Sequence, residues 1–357
     1  MLPSKNVTSP VAVPRGHGGA GGPASVAVTV KVAVPGVVGV PVIAPVVVSS
    51  VSPAGREFAG TLHVTVPVRP PCRSPGARPT TLPRVDSRPI GVFDSGAGGL
   101  TVLHECLVTM PHEDFVYLGD GARLPYGPRP LGEIRRFAGE IARYLEGQGV
   151  KLVVAACNSA TAAALPDLQR SLSVPVLGVI QPEAHAAVRA TRNRRVGLLA
   201  TEATVASGRY EALIWTLDAG VTVVPVACPK LVPLIEGDDP FGEATVAAVR
   251  EAATPLKEAG VDTVVLGCTH YPLIRPILQR VFGRDVTLVF SADETAREVS
   301  ETLARKAIEN DTGREGAYRF LTTGDPAAFK AMGSRFLQLP IADVERVTVA
   351  ELESVAA

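Results

Sequence analysis

Two short runs carry the residue types best suited to chemistry, Cys157-Asn158-Ser159 and Cys268-Thr269-His270. Each follows an apolar, strand-like stretch: Val153-Val154-Ala155-Ala156 in the first case, Val264-Val265-Leu266-Gly267 in the second. A lone cysteine after a buried strand is commonly an inert small hydrophobe. Two in matching contexts, each followed by hydrogen-bonding residues, point instead to reactive thiols. A helix N-terminus favours thiolate and would bring such a cysteine from about 8.5 toward neutrality. Opposed thiols suit inversion of a carbon stereocentre, in which a base takes a proton from one face and an acid returns one to the other. A thiolate/thiol pair fills both roles and exchanges them after each turnover. Removing the α-proton of an amino acid is intrinsically hard, so hydrogen-bond donors must offset the developing charge. Ser95, Tyr126, Asn158, Ser159 and Thr269 supply them, and Asp94 and His270 are placed to assist at the thiols.

Two further clusters are polar. Asp94-Ser95-Gly96-Ala97-Gly98-Gly99 is a glycine-rich turn opening a helix, able to present backbone N–H groups to an anion. Its spacing is not that of a dinucleotide fingerprint, and no Gly-Lys-Ser/Thr follows as in a phosphate loop. The run from Asp120 through Arg123 to Tyr126 and Gly127 has two readings. It is either a surface loop with Arg123 paired to Asp120, or a site offering the Tyr126 hydroxyl and the Gly127 N–H to a carboxylate. Cys106 sits in a helical apolar stripe, and Cys228 stands before Pro229 at a strand end with its role open. Lys151, Lys230 and Lys257 read as surface positions, so no lysine is set up to carry a pyridoxal cofactor.

The elements that must position these groups follow from hydrophobic patterning. Strands are expected over 90–93, 115–118, 151–156, 174–179, 195–200, 221–226, 263–266 and 286–289. Helices are expected over 100–110, 131–148, 160–171, 183–191, 203–218, 243–259 and 294–308. Such alternation implies an α/β fold with mainly parallel sheets covered on both faces by helices. Ligands in such sheets bind beyond the carboxyl ends of the strands, where the polar clusters fall. The pattern also repeats. Gly91-Val92-Phe93-Asp94-Ser95 is echoed by Gly197-Leu198-Leu199-Ala200-Thr201, and the strand before Cys157 by the strand before Cys268. Two similar lobes would set the cysteines facing one another across a cleft.

The chain has 357 residues and a formal charge of zero, which argues against a general nucleic-acid or membrane-surface binder. That neutrality is a cancellation. Residues 1–88 hold 9 basic and 2 acidic side chains, 14 of the 31 prolines and a single aromatic, Phe58. This Pro/Val-rich, low-complexity leader is expected to be disordered. Its valine runs are broken by proline and glycine well short of the ~20 apolar residues of a spanning helix. Five widely spaced cysteines, with Cys72 in the leader, exclude a disulfide scaffold and suit the cytoplasm.

Several stretches, in this order, resemble the glutamate racemases, cofactor-independent bacterial isomerases of the aspartate/glutamate racemase superfamily. They are Gly-Val-Phe-Asp-Ser-Gly-Ala-Gly-Gly-Leu at 91–100, Tyr-Leu-Gly-Asp-Gly-Ala-Arg-Leu-Pro-Tyr-Gly at 117–127, Ala-Cys-Asn-Ser-Ala at 156–160 and Gly-Cys-Thr-His-Tyr-Pro-Leu at 267–273. The runs at 228–236 and 291–296 match as well. The resemblance implies two pseudo-symmetric α/β lobes over 89–348 with the active site in the cleft between them. Lobe 1 would span about 89–183 plus 291–348, and lobe 2 about 184–290, with 349–357 a tail. It implies that Cys157 deprotonates D-glutamate and Cys268 L-glutamate, assisted by Asp94, His270 and Glu236. Substrate contacts would come from Asp94, Ser95, Tyr126, Gly127, Asn158, Ser159, Thr269 and His270. The product, D-glutamate, would feed peptidoglycan synthesis. No cofactor, metal, nucleic acid or membrane is called for, and a homodimer is allowed.

Three rivals remain at this stage: a racemase for aspartate or another acidic amino acid, a non-catalytic binder of such molecules, and a metal-binding or regulatory protein. The last would use Cys157, Cys268, His270 and Asp94 as ligands, a donor set that suits zinc.

Overall fold

The strand–helix alternation that begins near Pro89 builds two parallel sheets. The computed structural model describes residues 46–51, 57–62, 86–341 and 343–356. The chain divides into two units, Met1–Thr80 and Thr81–Ala357. In the first, β1 (Val46–Val51) pairs antiparallel with β2 (Glu57–Leu62), Val46 opposite Leu62. The expectation of disorder for the rest of residues 1–85 falls outside the described residues.

The second unit runs β3 (Ile90–Asp94), α1 (Leu100–Thr109), β4 (Phe115–Gly119), α2 (Leu131–Gly147), β5 (Leu152–Ala155), α3 (Asn158–Ser171), β6 (Val176–Gly178) and α4 (Ile180–Ala190). It continues through β7 (Arg195–Ala200), α5 (Glu202–Ala206), α6 (Arg209–Leu217), β8 (Thr222–Ala227), α7 (Leu231–Glu236), α8 (Glu243–Glu258) and β9 (Thr263–Gly267). It ends with α9 (Arg275–Phe282), β10 (Thr287–Val289), α10 (Ser291–Lys306), β11 (Tyr318–Thr322), α11 (Pro326–Leu337), β12 (Glu345–Arg346) and α12 (Val349–Ala356).

One sheet has the order β12-β11-β4-β3-β5-β6 and the other β10-β9-β7-β8. Every pairing in both is parallel. The block β4-β3-β5-β6 is matched by β8-β7-β9-β10, so the echoes in the sequence fall on equivalent strands. β3, β4, β5 and β9 are buried along their whole length. Helices on both faces remove the polar side that an exposed strand would need, which is why these strands read as unbroken apolar runs. Each large aliphatic side chain buried there contributes roughly 1.5–3 kcal/mol.

Several features depart from the expected elements, and α7 and α9 stand where no helix was expected. The helix expected over 203–218 is two helices, α5 and α6, broken where Gly208 takes φ +61°. Glycine adopts that left-handed conformation without the penalty a Cβ would bring. The C-terminal region also adds β11, α11 and β12 to the first sheet and its cover. α11 carries a start signal in its sequence: Asp325 accepts from the Ala328 N–H at 2.7 Å, and Pro326 opens the helix. Residues 349–356, expected as a tail, form α12, which packs on α2 and buries Leu352. Finally, Lys151 is not a surface residue. It is 1% exposed, and its Nζ lies 2.6 Å from Glu113 Oε2 and 2.7 Å from the Asp86 carbonyl. Those partners offset the cost of burying its charge. Among the described residues, no helix is long and apolar enough to cross a membrane.

Candidate active site

Three of the expected site residues stand at the carboxyl ends of strands, two on adjacent strands of the first sheet and one in the second. Asp94 ends β3, Cys157 follows β5 and Cys268 follows β9. Both thiols line one cavity of about 200 Å³. Ser95, Tyr126, Gly127, Asn158 and Ser159 line it from the first sheet's side, and Thr269 and His270 from the second's. Asp94 and Glu236 stand behind this wall and reach it through Thr269 and His270.

On the Cys268 side, His270 Nδ1 is 3.8 Å from the Cys268 Sγ, and His270 Nε2 is 2.8 Å from Glu236 Oε1. Burial disfavours the imidazolium, but Cys268 and Glu236 outweigh it and raise His270 to about 10. At neutral pH a positive charge therefore stands beside the thiol. The Thr269 hydroxyl donates to Asp94 Oδ1 at 3.4 Å, tying this turn to the end of β3. Asp94 Oδ2 accepts the Gly96 N–H at 3.0 Å, which fixes the carboxylate. Cys268 is followed by a turn and the single 3₁₀ turn Tyr271–Ile274 rather than by an α-helix. The helix-dipole expectation thus fails for this thiol, and the imidazole supplies the positive field.

Cys157 is the N-cap of α3. Burial nonetheless drives its thiol up, and the Asp94 charge adds to this, against the pull of the Ala160 and Ser95 N–H groups. The expected lowering by the helix N-terminus is overturned because desolvation penalises thiolate more than these donors favour it. Cys157 is thus a thiol with a carboxylate near it, whereas Cys268 has an imidazolium. The two halves of the site follow equivalent strands and set opposite charges beside their cysteines.

The remaining expected residues are placed as follows. The Tyr126 ring lines the cavity, but its hydroxyl donates to Asp120 Oδ2. Asp120 also accepts from Arg123 Nε at 2.7 Å and from the Thr323 hydroxyl at 2.7 Å. Arg123 is buried and also pairs with Glu140, so the surface-loop reading is replaced by a buried ionic network. A Cβ on Gly127 would stand 3.1 Å from the Thr201 Cβ. A Cβ on Gly98 would stand 2.5 Å from the His270 ring and from Thr269 Oγ1. The glycine-rich turn therefore lets the two sheets' loops approach, and Gly98 is needed for contact with His270. Cys228, whose role the sequence left open, lines the cavity, and burial pushes its thiol to about 12.

Four positions were not singled out as site residues. Thr201 and Thr204 join Ser159 in a hydroxyl cluster, with Ser159 Oγ 2.8 Å from Thr201 Oγ1. Thr201 was within reach, because the repeat aligns it with Ser95. Glu183 and Tyr210 bond Asn158, and nothing in their spacing links them to it. Among the described residues, no group of three or more His, Cys, Asp or Glu side chains is disposed to hold a metal ion.

Comparison with known proteins adds the following. The Asp/Glu/Hydantoin racemase family model matches residues 104–299. A glutamate racemase from Carnobacterium sp. (strain St2) is 44% identical over 262 residues, spanning 73% of this chain and 98% of that protein. The crystal structure of a glutamate racemase isoform from Bacillus anthracis aligns with a TM-score of 0.71 at 39% identity, covering 74% of this chain and 98% of that one. A glutamate racemase from Francisella tularensis, solved in complex with D-glutamate, aligns with a TM-score of 0.70 at 32% identity, covering 76% of this chain and 100% of that one.

Proposed function

The chain belongs to the glutamate racemases, and from that premise we propose that Cys157 and Cys268 are the two bases of its reaction. The enzyme interconverts L- and D-glutamate, and its D-glutamate feeds peptidoglycan synthesis, as in the family. The aspartate and metal-binding readings are not favoured, since the relatives reported above are named for glutamate.

The observation that carries the assignment of the bases is that both thiols line a single cavity, one beside a carboxylate and the other beside an imidazolium. With D-glutamate bound, the Cys157 thiolate takes the α-proton and the Cys268 thiol delivers one to the opposite face. The C–H bond on one face breaks, a C–H bond forms on the other, and one thiolate is exchanged for the other. L-glutamate runs the same steps in reverse. A proton lost by Cys268 leaves a thiolate paired with the His270 imidazolium, which Glu236 stabilises. At Cys157 the Asp94 carboxylate raises the basicity of the thiolate and accepts a hydrogen bond from Thr269. Asp94, Ser95, Asn158, Thr269 and His270 would bind the reacting end of the substrate. Gly127 and Ser159 would take the side-chain carboxylate, with Tyr126 contributing its ring because Asp120 holds its hydroxyl. Cytoplasmic location, a homodimer and the division into lobes near residues 184 and 291 belong to the same reading. Among the described residues, Cys106, Cys157, Cys228 and Cys268 are buried free thiols, which supports the first of these.

Circular dichroism of purified full-length protein with each enantiomer, without added cofactor and with EDTA, tests this. Signal decaying to zero from both directions is expected. A flat trace from both would overturn it.

A further inference from the structure

Asn158 lines the cavity beside Cys157, yet both hydrogens of its amide are already engaged. Its Nδ2 donates to Glu183 Oε2 at 2.9 Å and to the Tyr210 hydroxyl at 2.8 Å. The Tyr210 hydroxyl in turn donates to the same Glu183 oxygen. The three side chains close a ring drawn from α3, α4 and α6. Glu183 and Tyr210 are 0% exposed and Asn158 2%. An amide nitrogen has two hydrogens, so the ring consumes both. What remains is the Asn158 carbonyl oxygen, Oδ1, which is buried without a partner. A buried acceptor left unpaired is costly, and in a residue that lines the cavity it would be satisfied by a ligand that donates. An acidic amino acid offers one such group, because its two carboxylates only accept.

We propose that Glu183 is a positioning residue for the racemisation, fixing the Asn158 amide with Tyr210 so that the Asn158 carbonyl accepts from the substrate's α-ammonium group. The inference rests on the glutamate reading above. It also gives the buried carboxyl a task. Burial pushes Glu183 up to about 8 against the pull of Tyr210 and Asn158, so it carries its proton at neutral pH and adds no anion beside the reacting centre. Glutamine is therefore its close replacement.

The test compares wild type with Glu183→Ala, Glu183→Gln and Tyr210→Phe, using full-length protein. KM and kcat are measured for both enantiomers, together with inhibition by glutarate, the same dicarboxylate without the ammonium. Glu183→Ala is expected to raise KM about tenfold in both directions, and Glu183→Gln to recover most of that loss. The inhibition constant of glutarate should stay within about twofold throughout, since it lacks the group that Asn158 receives. Parallel weakening of glutarate, an unchanged KM in Glu183→Ala, or a glutamine variant as impaired as alanine would each overturn the proposal. If Glu183→Ala does not fold, Tyr210→Phe removes a single hydroxyl and carries the same comparison, with an unchanged KM as the refuting result. Inactive wild type would instead overturn the glutamate reading, so the two failures are distinguishable.

Discussion

His270 and Glu236 meet at 2.8 Å between Nε2 and Oε1, so that a carboxylate at the end of α7 backs the imidazole whose other nitrogen faces Cys268. The His270 ring also meets Phe336 of α11 in a T-shaped arrangement, with centroids 5.2 Å apart. The imidazole is thus held from two sides, by a charge and by a ring.

Glu236→Gln keeps the shape and removes that charge. A hydrogen bond to a charged group contributes about 1.5–3 kcal/mol against about 0.5–1.5 for a neutral one, so kcat/KM should fall about tenfold. The enantiomers have equal free energy, so the fall must be the same from either side, even where kcat and KM change separately. Progress curves by circular dichroism check this, and an undiminished kcat/KM would remove Glu236 from the relay.

Cys157→Ala and Cys268→Ala should each lose racemisation by a factor of about a hundred or more, the scale of a general acid or base. Each variant still has a base on one face and lacks the acid on the other. Substantial turnover by either one alone would sink the two-thiol mechanism.

Gly98→Ala places a methyl group where the His270 ring and the Thr269 hydroxyl already stand, 2.5 Å away. The turn must shift and His270 must move from Cys268. We expect kcat/KM to drop by about a hundredfold while Tm changes by only a few degrees, since misplacement of a catalytic group by an ångström costs on that order. A near-normal rate would show that the turn relaxes without disturbing the imidazole.

Stability should depend on pH through two buried groups. Burial raises Glu183 from 4.5 to about 8, so the native state keeps a proton that the unfolded chain has released. Its contribution is full below about pH 4.5 and is lost as pH rises through about 8. For His270, burial opposes the shift, but Cys268 and Glu236 raise it from 6.5 to about 10, so its contribution is full below the first value and lost through the second. Glu183→Gln removes the first slope and keeps the second. Its Tm relative to wild type should climb between about pH 5 and about pH 8. Thermal unfolding across that range decides the matter, and a constant difference would mean that Glu183 titrates alike in both states.

Local patterning carried much of this protein. The apolar runs before Cys157 and Cys268 announce parallel strands because burial on both faces leaves no polar alternation, and the repeat announces two equivalent sheets. Residues adjacent to a strand end, such as Asn158, Ser159, Thr269 and His270, follow the strand to the cavity and are legible for that reason. The break at Gly208 and the cap at Asp325 also have local signals. Burial of Lys151 has none, because its partners Glu113 and Asp86 lie on other segments. The same holds for Glu183 and Tyr210, which reach Asn158 only once α4 and α6 pack against α3. It holds too for the ionisation of Cys157 and His270: desolvation and neighbours brought from distant strands decide it, and neither is a property of adjacent residues. Chain-local rules determine which elements form and which side chains they carry to the cleft. Partner choice and ionisation inside it depend on three-dimensional distance and on the water that folding excludes.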